Sequence, residues 1–305
     1  MNLNYLILLR ILLMDISTSR ELQVLQSLMF LVFYLGAMTG NILTLTAIVI
    51  NPQLHSPIYF FIGNLSFIDL CSLSVALPKM IVNDLLGNKS ISLLACASQI
   101  FLVILFGSTE LAFLVVMSYD HYGAICHPLH YGFTISPRLC TQVTGGSWES
   151  GLVYSSIHTG TVFRLPFTGS NVIHQYFCDM PKILRISSSN NYGTCIILVC
   201  SIFLFKSYID IFSTMLKMHS VEGCNKALST CTPQLAILIL FVVSLLTAVF
   251  GSMANEASLG NLLMAMFYTM VPSFINPIIY SLWNKEINTA LHRMFHFYVF
   301  RIHRN

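Results

Sequence analysis

Apolar residues follow one another along this chain in long blocks, and short polar segments separate the blocks. A helix needs about twenty consecutive apolar residues to cross the hydrocarbon core of a bilayer. Seven blocks reach that length, at 24–50, 58–82, 93–119, 139–163, 194–216, 228–250 and 260–282. The pattern therefore predicts an all-α membrane protein with a bundle of seven transmembrane helices.

The fourth block is the least apolar of the seven. Gly145, Gly146 and Gly151 dilute it, and Glu149 lies near its middle. A carboxylate at the centre of a bilayer costs about 2.5–3.5 kcal/mol on insertion scales, while each Leu or Ile returns only about 0.3–0.6 kcal/mol. We therefore expect this helix to insert with the help of its neighbours.

The two ends of the chain carry shorter apolar segments. Residues 5–14 are apolar but short and interrupted by Arg10, which is typical of a poor signal-like segment and not of a span. After the last block, apolar residues recur at helical spacing at Ile287, Ala290, Leu291, Met294, Phe295 and Tyr298. This spacing predicts a short amphipathic helix on the inner membrane surface, and a frayed tail is the open alternative. The predicted regions are an extracellular N-terminus at 1–23, a seven-helix transmembrane domain at 24–282 and a cytoplasmic tail at 283–305.

Composition and charge restrict the partners and the orientation. Of 305 residues, 55% are hydrophobic and 9% are charged, whereas an ordinary soluble domain carries roughly 25% charged residues. The net charge of +3 is scattered along the chain, so membrane lipid is an expected partner and nucleic acid is not. The tail carries four basic residues against Glu286, and the positive-inside rule therefore places the C-terminus in the cytoplasm. An odd number of spans then places the N-terminus outside the cell.

The predicted topology also sorts the nine cysteines of the chain. Only Cys96, Cys178 and Cys195 fall on the oxidising side of the membrane. Cys96 at the start of the third span and Cys178 in the long second outer loop are the predicted disulfide. This bond would hold the loop over the helices as a lid.

Two acids, Asp69 and Glu110, fall inside predicted spans. A charge within the bilayer is expensive, so such a residue usually faces the interior of the bundle, where it meets another polar group or an ion. Both acids are therefore candidate site residues because of the cost of their position.

Seven short motifs occur in order along the chain. They are GN at 40–41, LHSPIYFF at 54–61, LSFIDLC at 65–71, MSYDHYGAICHPLHY at 117–131, SYI at 207–209, KALSTC at 226–231 and PSFINPIIYS at 272–281. In these motifs the chain resembles the olfactory receptors of the rhodopsin-like (class A) G-protein-coupled receptor superfamily. The resemblance implies an odorant receptor of the plasma membrane and no enzyme activity. Its partners would be a small, mostly hydrophobic odorant within the bundle and a stimulatory heterotrimeric G protein inside the cell.

The residues that would line an odorant pocket are placed from two anchors of the third span, Cys96 and Asp120. The predicted pocket residues are Val103, Ile104, Gly107 and Ser108 in the third span, Val242 and Leu245 in the sixth, and Tyr268 and Thr269 in the seventh. For each of them, ordinary packing between helices remains the open alternative.

A second set of residues would couple ligand binding to the G protein. The implied activation switch consists of Asp120, His121, Tyr122, Tyr208, Asn276, Pro277 and Tyr280. His121 stands where the family carries arginine, and histidine is shorter and lacks the fixed fork of donors of a guanidinium group. We therefore predict weakened or altered coupling.

Asp69, Glu110 and Asn276 stand where related receptors hold a sodium ion, and no other cofactor is implied. A pair of acids that shares a proton or hydrogen-bonds to Asn41 is the open alternative to the ion. Asn88 in Asn88-Lys89-Ser90 is the accessible glycosylation sequon.

Two other functions remain open at this point. One is a degenerate receptor with weak coupling, which His121 and Glu149 would suit. The other is a small transporter or channel, in which Asp69, Glu110, Glu149 and Lys206 would line the pathway. The second alternative predicts inverted repeats, and the two halves of the chain show no convincing similarity.

Overall fold

The computed structural model describes residues 10–13, 20–86, 90–126, 136–164, 172–173, 178, 232–233, 235–244, 246–247 and 259–302. Its helices are α1 (Arg20–Ile50), α2 (Pro57–Leu86), α3 (Leu93–Cys126), α4 (Pro137–Arg164), α5 (Leu235–Ser244), α6 (Leu259–Trp283) and α7 (Lys285–Ile302). A single 3-10 turn, Pro52–Leu54, joins α1 to α2. Each helix over the first four blocks and the last contains its predicted apolar block or exceeds it by a few residues.

Among the described residues, α1, α2 and α3 each contain a stretch long and apolar enough to cross a membrane. These stretches are Gln23–Ile50, Pro57–Asn83 and Leu93–Asp120. The helix α4 does not reach the same apolar character, in agreement with the weak fourth block. The predicted span 194–216 lies outside the described residues, and α5 covers only part of the block 228–250.

The core of the bundle lies around α2 and α3, with α1 packed beside α2 and α4 packed beside α3. α2 packs against α1 and α3, α4 packs against α3, and α6 packs against α1. Trp148 of α4 reaches across to α2 and α3, where its ring lies 6.3 Å from those of both Phe67 and Phe106. Phe113 and Leu114 of α3 are fully enclosed in the same core.

The contact between α1 and α6 depends on two glycines. A Cβ added to Gly40 would lie 3.1 Å from Cβ of Pro277, and one added to Gly36 would lie 3.0 Å from the ring of Phe274. Because glycine has no side chain, the two backbones approach closely here, as is common between membrane helices.

A small sheet lies at one end of the bundle, and the sequence did not predict it. The strands are β1 (Arg10–Leu13), β2 (Ser90–Ser92) and β3 (Val172–Ile173), with β1 in the centre. Ile11 pairs with Ile91 in the antiparallel ladder, and Leu12 pairs with Val172 in the parallel one. The all-α expectation is therefore incomplete, because strands of two to four residues are too short to show a periodic pattern. Residues 10–13 were predicted to belong to a signal-like segment, but they form a strand that pairs with β2 and β3, which lie far apart in the sequence.

The predicted disulfide is confirmed and lies near this sheet. Cys96 and Cys178 are bonded, with their Cα atoms 5.4 Å apart. The backbone N–H of Cys178 also donates to Oε1 of Gln99 at 3.2 Å, so the loop is held to α3 at two points. We call this end of the bundle the disulfide end.

The predicted amphipathic helix is confirmed as α7, at the opposite end. Ile287 and Ala290 are buried against the bundle core, and Leu291 and Met294 pack beside them. The guanidinium group of Arg293 donates to Oε1 of Gln53, which follows α1, at 3.3 Å. The frayed-tail alternative is wrong for residues 285–302, and we call this end of the bundle the α7 end.

Candidate functional site

A buried polar cluster joins α2, α3 and α6 in the middle of the bundle. Asp69 is 1% exposed, and Nδ2 of Asn276 donates to its Oδ2 at 3.0 Å. The Ser273 side chain lies beside Asp69, and Glu110 lies beside the side chain of Asn276. Three helices therefore meet at two carboxyl groups. Burying a carboxyl group costs free energy unless polar neighbours surround it, and these helices supply such neighbours.

Asn41 of α1 completes the cluster for a reason that lies in α6. Pro277 has no N–H, so the carbonyl four residues earlier, that of Ser273, loses its partner within the helix. Nδ2 of Asn41 donates to this carbonyl at 2.9 Å and to that of Ala37 at 3.0 Å. The Asn41 side chain thus stabilises the proline site of another helix, and its amide donor does not serve either acid.

Several acceptor atoms in the cluster are buried and have no hydrogen-bonding partner in the part of the chain that the structure describes. They are Oε1 of Glu110, Oδ1 of Asn276 and Oδ1 of Asn41. Such an oxygen atom is satisfied only by a hydrogen-bond donor or by a cation that it coordinates. Leaving it unpaired away from water costs free energy. The cluster is therefore suited to bind one more positively charged or hydrogen-bonding species.

One face of α3 leads from the disulfide to this cluster. At 100° per residue, Cys96, Gln99, Val103, Gly107, Glu110 and Leu114 share that face. Among the described residues, no atom lies within 4 Å of a Cβ added to Gly107, so they leave the space beside it open, and Val103 is exposed. Ile104 and Ser108 stand one position further round the helix and are partly exposed.

Comparison with known proteins identifies the family. The olfactory receptor family model matches residues 29–297. Human olfactory receptor 14I1 is 44% identical over 293 residues, which cover 93% of this chain and 94% of that receptor. Human olfactory receptor 14C36 is 42% identical over 292 residues, with 93% and 94% covered. The chain belongs to the olfactory receptor family. It is therefore a multi-pass membrane receptor and not an enzyme.

Part of the predicted site of the receptor is described. Val103, Ile104, Gly107 and Ser108 lie on α3, and Val242 of α5 packs against the bundle core. Leu245, Tyr208 and Asn88 lie outside the described residues. Tyr268 and Thr269 continue α6 and His121 and Tyr122 continue α3, but their side chains lie outside the described part. The pocket and the effect of His121 on coupling therefore stay predictions.

At the α7 end, the receptor holds its amphipathic helix through a contact that the sequence did not predict. The hydroxyl group of Tyr59 in α2 lies 2.6 Å from Oε2 of Glu286 and 3.2 Å from Oδ1 of Asn284. The same Asn284 oxygen caps α7, since it accepts the N–H groups of Glu286 and Ile287 at 3.1 Å each. The LHSPIYFF motif therefore positions α7 through its tyrosine.

Removing this hydroxyl group should loosen α7. We expect Tyr59→Phe to cost about 1 kcal/mol, because one hydrogen bond to a partly exposed carboxylate is lost. Hydrogen exchange of residues 285–302, measured by mass spectrometry, should become about fivefold faster. Tyr34→Phe is the matched control, since its hydroxyl lies 3.4 Å from Ser74 on α2, away from α7. Unchanged exchange in Tyr59→Phe would show that the Tyr59 hydroxyl does not help to hold the helix.

Proposed function

We propose that this receptor binds a small, mostly hydrophobic odorant between its helices and thereby activates a stimulatory G protein. The observation that carries the proposal is the open space beside Gly107, on the α3 face that runs from the disulfide to the buried polar cluster. An open space between helices that leads to a few buried polar groups suits a ligand of this class. Family membership supports the same role.

The proposed architecture is a seven-helix bundle with its disulfide end outside the cell. Residues 1–23 would be extracellular, 24–282 transmembrane and 283–305 cytoplasmic, with α7 along the inner surface of the plasma membrane. The basic residues of the tail favour this orientation. The membrane-length stretches of α1, α2 and α3 and the position of α7 support it.

The proposed mechanism is a shift of population between two arrangements of the helices. An odorant that binds the active arrangement better increases the fraction of receptors in it. Pro277 provides a flexible point in α6. The nearby Tyr280 hydroxyl is buried and has no partner among the described residues, so a rotation of this side chain breaks no hydrogen bond to them. The inner ends of the helices, with Asp120, would then accept the G protein.

A sodium ion fits the buried polar cluster. Asp69, Glu110 and Asn276 would hold it, because they supply two carboxyl groups and an amide oxygen that lacks a partner. When bound, the ion supplies positive charge to the two acids. By holding α2, α3 and α6 together through these ligands, the three residues would favour the resting arrangement. Among the described residues, no three His, Cys, Asp or Glu side chains lie close enough together to hold a metal ion, so the cluster does not resemble a transition-metal site.

A cell assay with a matched pair of glycine variants tests the proposed function. Cells that express the receptor should raise cAMP in a GTP-dependent way when a panel of small volatile molecules contains its ligand. Gly107→Leu should lower the response at least about tenfold, because a leucine side chain fills the open space. Gly145→Leu should leave it unchanged, since Gly145 is exposed and a Cβ added there also meets no described residue within 4 Å.

Three other results would contradict parts of this proposal. A ligand-dependent current without G protein would favour the transporter or channel alternative. Surface labelling without any cAMP response to the panel would favour the degenerate receptor. Equal odorant sensitivity with sodium and with choline in the medium would contradict the proposed sodium site.

A further inference from the structure

The side chain of Gln99 in α3 contacts two other parts of the chain at once. Its Oε1 accepts the backbone N–H of Cys178 at 3.2 Å, and its Nε2 donates to the carbonyl oxygen of Val75 in α2 at 3.5 Å. Exchanging the two amide atoms would set donor against donor and acceptor against acceptor, so only one orientation of the amide satisfies both contacts. The contact with α2 therefore directs the Gln99 oxygen toward Cys178.

This hydrogen bond adds a direction to the attachment that the disulfide makes. Gln99 follows Cys96 by three residues, which is about 4.5 Å along α3 toward the α7 end. The side-chain torsions of a disulfide have several staggered wells, so one bond to Cys96 leaves Cys178 more than one orientation. A second attachment at another height on α3 selects one of them.

Burial makes the hydrogen bond to Gln99 hard to replace in the closed position. Cys96, Gln99 and Cys178 are all buried. A buried N–H group that loses its acceptor pays the full cost of leaving water. If the Gln99 oxygen is removed, the N–H of Cys178 can regain a water partner by moving away from α3. Loss of this one acceptor should therefore increase the fraction of receptors in which the chain at Cys178 has left α3.

We propose that Gln99 is the positioning residue that keeps the predicted second outer loop closed over the odorant space, by which we mean the open space beside Gly107. Gln99 lies about one helical turn before Val103 and two turns before Gly107 on the same face of α3. Cys178 therefore lies where this face leads outward from the space. The inference rests on the proposed function, in which the space holds the odorant. The disulfide is the tether, and Gln99 sets how often the loop opens.

Thiol labelling measures this opening without an odorant or a G protein. The full-length receptor carries Val103→Cys, and intact cells are treated with a methanethiosulfonate reagent that bears a trimethylammonium group and does not cross the membrane. Mass spectrometry of the peptide around residue 103 gives the rate of modification. Gln99→Met has a similar volume but no amide oxygen. It should raise this rate about five- to tenfold, which corresponds to the loss of one buried hydrogen bond.

Two further variants separate the lost acceptor from a general loosening of the receptor. Ser98→Met introduces the same side chain at the next position, where the serine is exposed and its hydroxyl donates to the Leu94 carbonyl of its own helix at 3.0 Å. It should leave the labelling rate unchanged. Gln99→Glu keeps an oxygen that can accept from Cys178. Hydrogen exchange at the Cys178 amide should therefore become about five- to tenfold faster in Gln99→Met and change less than about twofold in Gln99→Glu.

Two outcomes would overturn the role of Gln99. One is an equal labelling rate with and without Gln99→Met, which would mean that the disulfide alone sets the position of the loop. The other is equally fast exchange at Cys178 in Gln99→Met and Gln99→Glu. The cAMP assay on the unaltered receptor keeps the two proposals apart. Faster labelling in Gln99→Met without any cAMP response to the odorant panel would contradict the proposed function and leave the role of Gln99 supported.

Discussion

Replacing Gly151 with valine is expected to remove most of the folded receptor from the cell surface. A Cβ at this position would collide with Oγ1 of Thr109 and lie 3.3 Å from both the carbonyl oxygen and Cδ1 of Leu105. Thr109 is fully buried and stiff at its first side-chain torsion, and the Leu105 carbonyl belongs to the backbone of α3. The Leu105 carbonyl cannot move without the backbone of α3, and a turn of the Thr109 side chain would leave that contact in place, so α3 and α4 would have to shift apart.

Gly151→Val is expected to lower the free energy of unfolding by about 1–3 kcal/mol or more, which is a large part of the total for an ordinary protein. Surface biotinylation and the temperature of half-inactivation in detergent both measure it. Gly145→Val is the matched control, because it makes the same substitution on the same helix at a place where an added Cβ is more than 4 Å from every described residue. Equal surface levels for the two variants would mean that α3 and α4 do not pack as described.

Removing the disulfide is expected to have the second large effect. Cys96 and Cys178 are 82 residues apart in sequence, so the bond excludes many open conformations of the unfolded chain. Loss of a bond that closes a loop of this length costs about 2–5 kcal/mol. The paired variant Cys96→Ala, Cys178→Ala should therefore inactivate at a clearly lower temperature. The single hydrogen bond from Cys178 to Gln99 is too weak to replace the bond.

A reducing agent provides the internal check on this result. It should lower the inactivation temperature of the unaltered receptor toward that of the paired variant and leave the paired variant unchanged. Cys71→Ala is the control, since Cys71 is a free thiol within α2. If the reducing agent destabilised the paired variant to the same extent, the effect would not come from the bond between Cys96 and Cys178.

The sequence predicted the features that depend on one segment at a time. The apolar blocks gave α1, α2, α3, α4 and α6 to within a few residues, and helical spacing gave α7. The cost of a charge in lipid singled out Asp69 and Glu110 before any neighbour was known. The topology of the blocks then predicted the bond between Cys96 and Cys178.

Contacts between distant segments were beyond sequence reasoning. Nothing in the neighbourhood of Asn41 indicates that it serves the carbonyl freed by Pro277, which is 232 positions away at Ser273. The proline did supply a signal, because it left a carbonyl that some side chain had to satisfy. The contact of Tyr59 with Glu286 had no such signal, since a tyrosine in an apolar segment is usually packed.

By itself, the sequence determined that this chain is a receptor of the olfactory family that lies in a membrane, because length, apolarity and motif order are properties of consecutive residues. Only the tertiary structure decided that residues 10–13 form a strand, that the polar cluster gathers on Asp69, and that Glu149 faces outward. The direction of a side chain depends on which face of its helix the neighbours cover. Those neighbours are chosen by packing over the whole chain, and hydrophobicity along one helix does not specify them.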